Sequence, residues 1–265
     1  MIPFVKAHAC GNDFLLVEEE VAGSRHPTLS RRLCDRHRGI GADGVEFIDR
    51  RSGYRLRLFN SDGTEAELSG NGTRCVAAWL AHSEGLESVS LETRGGVRAC
   101  RVIERADDTY LIESGMGVPH VTSRTISLPG VGDVAGATVD VGNPHFVLFV
   151  DAPDFSAHGR EWHVLGELIS RSPLFPHGTN VEFVSLKSRS EIEFRIYERG
   201  CGPTASSGTG SCASSAAAMS LRGIDRDLTA VAEGGSQRVV WPSTSAEMLL
   251  TGPAEIICTG EASTH

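Results

Sequence analysis

Leu68-Ser69-Gly70-Asn71-Gly72-Thr73-Arg74-Cys75 has a counterpart 138 residues later, Ser206-Ser207-Gly208-Thr209-Gly210-Ser211-Cys212. Both contain Ser-Gly-x-Gly with a Cys close behind and an Ala-rich stretch after it. The correspondence extends outward. Arg57-Leu58-Phe59-Asn60 matches Arg195-Ile196-Tyr197-Glu198 at the same offset, Val45-Glu46-Phe47-Ile48 matches Val181-Glu182-Phe183-Val184, and Gly11-Asn12 matches Gly142-Asn143. Four matches in one order, with an offset that drifts only as loop insertions would make it drift, read as two copies of one fold. Repeats of this length are domains, not solenoid units. Gly and Pro in Ser114-Gly115-Met116-Gly117-Val118-Pro119 break the pattern and place the expected boundary there, giving halves at 1–117 and 118–265, with the last strand free to pack back on the first half.

Alternation in Arg55 to Phe59 and Glu191 to Tyr197 predicts strands, as do the runs Thr138 to Val141 and His145 to Val150. Helices are predicted over Gly72 to Ser83, Gly159 to Ser170 and Gly210 to Leu221, the second from the spacing of Trp162, Leu165, Leu168 and Ile169. The Gly260 to His265 tail is expected to be disordered.

Composition limits the function classes. The 265 residues carry 25 Lys+Arg against 34 Asp+Glu, a net charge of −9, with 40% hydrophobic and 22% charged residues. That is a globular balance, and its sign disfavours nucleic acid and anionic membranes as partners. Apolar runs such as Phe146 to Val150 are far too short to span a bilayer, and the Met1 to Lys6 start has no secretory pattern. Seven scattered cysteines without a CxxC pair predict neither a disulfide framework nor a metal site, and a cytoplasmic location.

The tetrads read as a ligand site. Glycines admit close backbone approach, and the first N–H groups of a helix attract a carboxylate or phosphate. Ser69 and Ser207 are equally ordinary helix N-caps when each is taken alone; the duplication favours a site. No Lys lies in the tetrads, which excludes a P-loop, and no dinucleotide fingerprint is present. Asn12, Asn60, Asn143 and Asn180, with Glu198 and Arg199, fall at strand ends or Gly-bounded loops in the repeated segments. Asn donates and accepts, and Arg grips carboxylates, which suits a zwitterionic amino acid. His145 is suited to orienting or relaying a proton, or to a structural role. Cys10, Cys75 and Cys212 read as core residues.

Taken together, Gly11-Asn12-Asp13-Phe14, Gly39-Ile40-Gly41-Ala42-Asp43-Gly44, the segment from Phe59 through Asn60 and Asp62 to Glu67, Gly70-Asn71-Gly72-Thr73-Arg74-Cys75, Gly142-Asn143-Pro144-His145, Asn180-Val181-Glu182-Phe183 and Tyr197-Glu198-Arg199-Gly200 resemble diaminopimelate epimerase over nearly the whole chain. The resemblance implies an α/β (α+β) fold of two pseudo-symmetric halves, each a mixed sheet curled around a central helix, with the ligand cleft between them. It implies an isomerase that needs neither pyridoxal phosphate nor metal and that interconverts LL- and meso-diaminopimelate for lysine and peptidoglycan synthesis. Family members often pair, so a homodimer is compatible with it. Asn12, Asn60, Asn143, Asn180 and Arg199 would bind the non-reacting end of the substrate. Gly70, Asn71, Gly208 and Thr209 would hold the reacting carboxylate, and His145 and Glu198 would support the acid–base pair.

The departure from that family lies at the bases themselves. Its two catalytic cysteines correspond to Ser69 and Ser207, and Pro203 stands where the family usually has Glu. A thiol at a helix start reaches a pKa near neutrality from about 8.5, whereas an alcohol is weaker by several units at about 1.36 kcal/mol each. A helix dipole, worth ~0.3–2 kcal/mol, does not close that gap. Three readings stay open: an engineered replacement of both thiols, a natural relative with another base or reaction, and an amino-acid-binding protein without the activity. Among the carboxylates, Glu198 is the candidate for a substitute base.

Overall fold

The computed structural model describes residues 1–263. The polypeptide forms two compact units: Met1–Gly115 with the segment from Thr251 onward, and Met116–Leu250. No helix among the described residues is long and apolar enough to cross a membrane.

The first unit contains β1 (Ile2–Ala9), β2 (Asn12–Glu18), α1 (Glu19–Ala22), α2 (His26–Cys34), β3 (Gly44–Asp49), β4 (Tyr54–Asn60), β5 (Glu65–Ala66), α3 (Gly70–Glu84), β6 (Ser88–Thr93), β7 (Gly96–Ala106) and β8 (Thr109–Gly115). The second contains β9 (His120–Leu128), β10 (Gly132–Asp140), β11 (Pro144–Phe149), α4 (Trp162–Ser170), β12 (Asn180–Leu186), β13 (Glu191–Glu198), β14 (Gly202–Thr204), α5 (Gly208–Leu221), β15 (Asp227–Ala232) and β16 (Gly235–Val240). The last strand, β17 (Leu249–Ala262), starts in the second unit and continues into the first.

In the first unit the pairings run β1–β2–β3–β4–β6–β7–β8–β17 and return to β1, closing an eight-stranded barrel. The β2–β3 and β4–β6 pairs are parallel, so the sheet is mixed. Helix α3 packs against β1, β2, β6, β7 and β8. Its residues from Gly70 to Ala78 are all buried, which suits a small-residue helix enclosed on every side. It ends at Gly85, whose φ of 72° supplies the left-handed C-cap and returns an N–H to Ala81 O. Alternation along β3 divides two layers. Val45 and Phe47 pack with Leu15, Leu29 and Leu33 on the α2 side, while Ile48 faces Leu16, Leu56, Leu58, Cys75 and Val76 on the α3 side.

The second unit repeats this plan. Strands β9, β10, β11, β12, β13, β15 and β16 pair in succession, and α5 touches all seven. Val181 and Phe183 pack with Leu165 and Ile169 of α4, which leaves the alternate positions of β12 for the α5 side.

Two expectations need correction. The tail is not disordered as far as Ala262: Gly260 pairs with Phe4 and Ala262 with Ile2 across β17 and β1. A strand partner more than 250 positions away holds it, and residues 264–265 lie outside the described residues. The helix expected from Gly159 starts only at Trp162, because Gly159 has a φ of 69° and Arg160 is held in a bridge to Ala157.

Candidate active site

Each helix start is built by one serine. Ser69 is extended (φ −124°, ψ 121°), and its Oγ accepts the Gly72 N–H at 3.0 Å. Ser207 is extended (φ −145°, ψ 128°), and its Oγ accepts the Gly210 N–H at 3.2 Å. Ser69 and Ser207 also accept the Thr73 and Ser211 N–H groups on their carbonyls. These are true N-caps that fix both hydroxyls at the positive ends of buried helices.

In the first unit, Asn12 stands just past the tight β1–β2 turn, where Cys10 (φ 51°) and Gly11 (φ 79°) both take the left-handed conformation such a hairpin needs. Asn12 Nδ2 donates to Asp43 Oδ2 at 2.6 Å, and Asn12 Oδ1 accepts from Asn71 Nδ2 at 3.1 Å. Arg74, fully buried, donates to Asn71 Oδ1 at 2.7 Å and to Gly70 O at 3.1 Å. Arg36 bridges Asp43 at 2.9 Å and Asp13 at 2.7 Å, and Lys6 reaches Asp13 at 3.1 Å. Burial pushes the Asp13 carboxyl upward, but Arg36 and Lys6 outweigh it and hold the pKa below the usual value. Thus Asn12, Asn71 and Gly70 share one oriented network. Asn60 does not join it: its Nδ2 donates to Thr64 Oγ1 at 3.1 Å within its own turn.

In the second unit, His145 is fully buried on β11. Its Nδ1 lies 2.6 Å from Glu182 Oε1 and its Nε2 2.8 Å from Asn143 Oδ1. Asn143 Nδ2 reaches Thr209 Oγ1 at 3.4 Å, and Thr209 Oγ1 lies 3.4 Å from Ser207 Oγ. Asn180 Nδ2 donates to Pro144 O at 3.2 Å, while its Oδ1 accepts the Arg199 N–H at 2.9 Å. The Arg199 side chain lines a cavity of about 430 Å³ together with Ser170, Phe175, Tyr197 and Gly202. Protein atoms surround the Glu198 carboxyl closely enough to push its pKa up to about 7, although Ser207 and Thr204 interact with it and oppose the rise. The residue as a whole keeps some exposed surface. Asn143, His145, Asn180, Glu198, Arg199, Ser207, Gly208 and Thr209 therefore gather around the α5 start. Pro203, itself exposed on β14, sits opposite Tyr197.

Sequence reading did not assign roles to four further residues of these networks. Asp43 and Arg74 fix the amides of Asn12 and Asn71. Glu182 partners His145, and burial outweighs that partner and raises its pKa. Glu46 occupies the matching place in β3. An acidic residue inside an otherwise apolar strand, present in both repeats, is the signal that marks the last two.

Cys75 and Cys212 are fully buried and Cys10 nearly so, as core residues. Burial raises the Cys75 thiol well above its ordinary pKa, the opposite of what a thiolate base needs.

The diaminopimelate epimerase family model matches residues 4–122 and 137–257, thus both repeats. The diaminopimelate epimerase of Moorella thermoacetica is 36% identical over 279 residues, covering 97% of this chain and 98% of that protein. That of Synechocystis sp. is also 36% identical, covering 98% and 99%. Among solved structures, a probable proline racemase from Agrobacterium radiobacter superposes with a TM-score of 0.76 at 17% identity, covering 100% of this chain and 94% of that one. A hydroxyproline epimerase from Agrobacterium vitis, with bound trans-4-hydroxy-L-proline, gives 0.74 at 16%, covering 98% and 90%. At such identities these two speak to the fold alone, an α+β fold in two halves. The matched segments carry both serine-capped helix starts and every asparagine of the two networks, so the chain belongs to the diaminopimelate epimerase family, a family of isomerases.

Proposed function

We propose that this protein binds a diaminopimelate-like zwitterionic amino acid in the cytoplasm and inverts its α-carbon by proton transfer at Ser69 and Ser207. The observation that supports this reading is that both serines are N-caps with each hydroxyl fixed at a helix N-terminus, at the two positions where the resemblance implies the family's bases. The amide of Asn12 is oriented by Asp43 and Asn71 and that of Asn143 by His145 and Thr209, so the second N–H of each is preset for a ligand. The first-turn N–H groups favour the substrate carboxylate, and as charge develops on that carboxylate during α-proton removal they stabilise it. Arg199 and the cavity it lines suit the distal charged end.

The hydroxyls are weak acids, so the reaction proceeds more slowly than at a thiol pair. A second reading has one observation in its favour: both hydroxyls already accept a helix N–H, as purely structural caps do. That reading is an amino-acid-binding protein without the chemistry. Calorimetry with LL- and meso-diaminopimelate, together with α-proton exchange in heavy water, separates the two. Binding with exchange supports the epimerase, binding without exchange the binding protein, and no binding of either isomer removes both.

A further inference from the structure

Four side chains of the first unit form one hydrogen-bond chain in which every donor points the same way. Arg74 Nη2 donates to Asn71 Oδ1 at 2.7 Å, Asn71 Nδ2 donates to Asn12 Oδ1 at 3.1 Å, and Asn12 Nδ2 donates to Asp43 Oδ2 at 2.6 Å. The chain runs from the first turns of α3 to the start of β2 and on to the residue before β3. Arg74 and Asn71 are fully buried, and Asn12 and Asp43 are half-buried.

The two ends decide the polarity of the middle. A guanidinium only donates, so the Asn71 atom that meets Arg74 is the oxygen. The Asn71 nitrogen is then left to meet Asn12, which answers with its own oxygen. The Asn12 nitrogen in turn meets Asp43, and an ionised carboxylate only accepts. Turning either amide over would set N–H against N–H at one joint and oxygen against oxygen at the next. Both ends are themselves held. Arg74 also donates to Gly70 O at 3.1 Å, and the Asp43 carboxylate accepts from Arg36 at 2.9 Å and from the Asp13 N–H at 3.2 Å.

Asn12 thus gives its oxygen to Asn71 and one N–H to Asp43. What it keeps for a ligand is its second N–H, a donor. In an amino acid the partner of such a donor is a carboxylate oxygen, not an ammonium group. The second unit is arranged differently. The position of Arg74, 138 residues on, is Cys212, that of Asn71 is Thr209, and Asn143 is oriented by His145 and Thr209.

We propose that Arg74 and Asp43 are positioning residues that lock Asn12 as a donor to a ligand carboxylate, and so select amino acids that carry a second carboxylate. This rests on the amino-acid reading above, in which the helix N–H groups take the reacting carboxylate and the carboxylate at Asn12 is the other one. Arg74 acts through Asn71 and Asn12, and Asp43 acts on Asn12 directly. Either charged end alone is enough to keep the polarity, because each forces the same orientation on both amides.

The test is calorimetry with meso-diaminopimelate and two analogues. The first, 2-aminopimelate, keeps both carboxylates and lacks the second amino group; the second, lysine, keeps both amino groups and lacks the second carboxylate. The unmodified protein should bind 2-aminopimelate at least about 10-fold more tightly than lysine, the size of one charge-assisted hydrogen bond. Arg74→Met and Asp43→Asn each keep one charged end, so each should weaken both ligands alike and hold their ratio within about threefold. The double variant frees both amides and should lose about 10-fold of the ratio, a coupling that independent losses of stability do not produce. A second measurement needs no variant: the Asn12 side-chain N–H not given to Asp43 should move downfield in the NMR spectrum with 2-aminopimelate and not with lysine. Lysine binding as tightly as 2-aminopimelate, a ratio retained in the folded double variant, or an Asn12 N–H unmoved by bound 2-aminopimelate overturns the proposal and leaves amino-acid binding standing. Failure of the unmodified protein to bind meso-diaminopimelate or either analogue removes the amino-acid reading and this inference with it.

Discussion

His145 Nδ1 and Glu182 Oε1 stand 2.6 Å apart with both side chains fully enclosed, and Glu182 Oε2 has no hydrogen-bond partner among the described residues. One imidazole is the counter-group that keeps this carboxyl in place beneath α5.

Removing that imidazole should therefore be costly. His145→Phe, which copies the Phe14 of the other unit, leaves a buried acid without its partner and is expected to destabilise the protein by about 3–5 kcal/mol. Urea denaturation at pH 7 measures it. Glu182→Gln should recover part of the loss in the His145→Phe background, since a neutral amide costs less to bury than an unpaired carboxylate.

The Glu46 carboxyl should give the stability curve a distinct slope. Its pKa rises from 4.5 unfolded to about 8 folded. Between these values the folded protein holds the extra proton, so this group's contribution falls as pH rises and is fully lost above about pH 8. E46Q has no such titration. It should match the unmodified protein near pH 4 and exceed it above pH 8 by on the order of 2–5 kcal/mol. Parallel denaturation curves at pH 4, 6 and 9 measure the difference; an E46Q advantage that does not change with pH contradicts it.

Gly72 is where carboxyl and helix come closest. Ala ordinarily gains ~0.5–1 kcal/mol over Gly inside a helix. Here Gly72→Ala is expected to cost about 1–3 kcal/mol, because the added methyl overlaps Glu46 Oε1. In a Glu46→Ala background that cost should disappear, so a double-mutant cycle reads the contact directly.

The two serines should separate stability from chemistry. Ser69→Ala and Ser207→Ala each remove a cap worth about 1 kcal/mol. A protein carrying both Ser69→Cys and Ser207→Cys should also lose cap energy, since a thiol is a weak acceptor. It should nevertheless exchange the substrate α-proton at least ~100-fold faster, because a thiol at a helix start ionises near neutral pH. Thermal melts and exchange rates on the same samples check both signs.

Much of the site was legible because duplication exposes it. Ser69 and Ser207 share a tetrad, and the asparagines Asn12 and Asn143 recur in register. Glu46 was visible only as part of a matching tetrapeptide. Its burial depends on a strand covered on both faces, by α2 on one side and α3 on the other, and local alternation does not report a second cover. The pairing of Asn12 with Asp43 was hidden for a similar reason: it joins residues 31 positions apart through a parallel β2–β3 contact. Asn60 shows the converse. Its motif suggests a ligand contact, and the structure shows its Nδ2 donating to Thr64 within its own turn, a local bond the motif does not reveal. The late start of α4 follows from a backbone sign at Gly159 that helical spacing alone does not reveal.

The most direct test of α-carbon chemistry at a serine pair is proton NMR of the unmodified protein with LL- and meso-diaminopimelate in heavy water. Loss of the α-proton signal and interconversion of the isomers, at a rate that rises with pH, are the expected result. An α-proton signal unchanged over days, with substrate demonstrably bound, would contradict it.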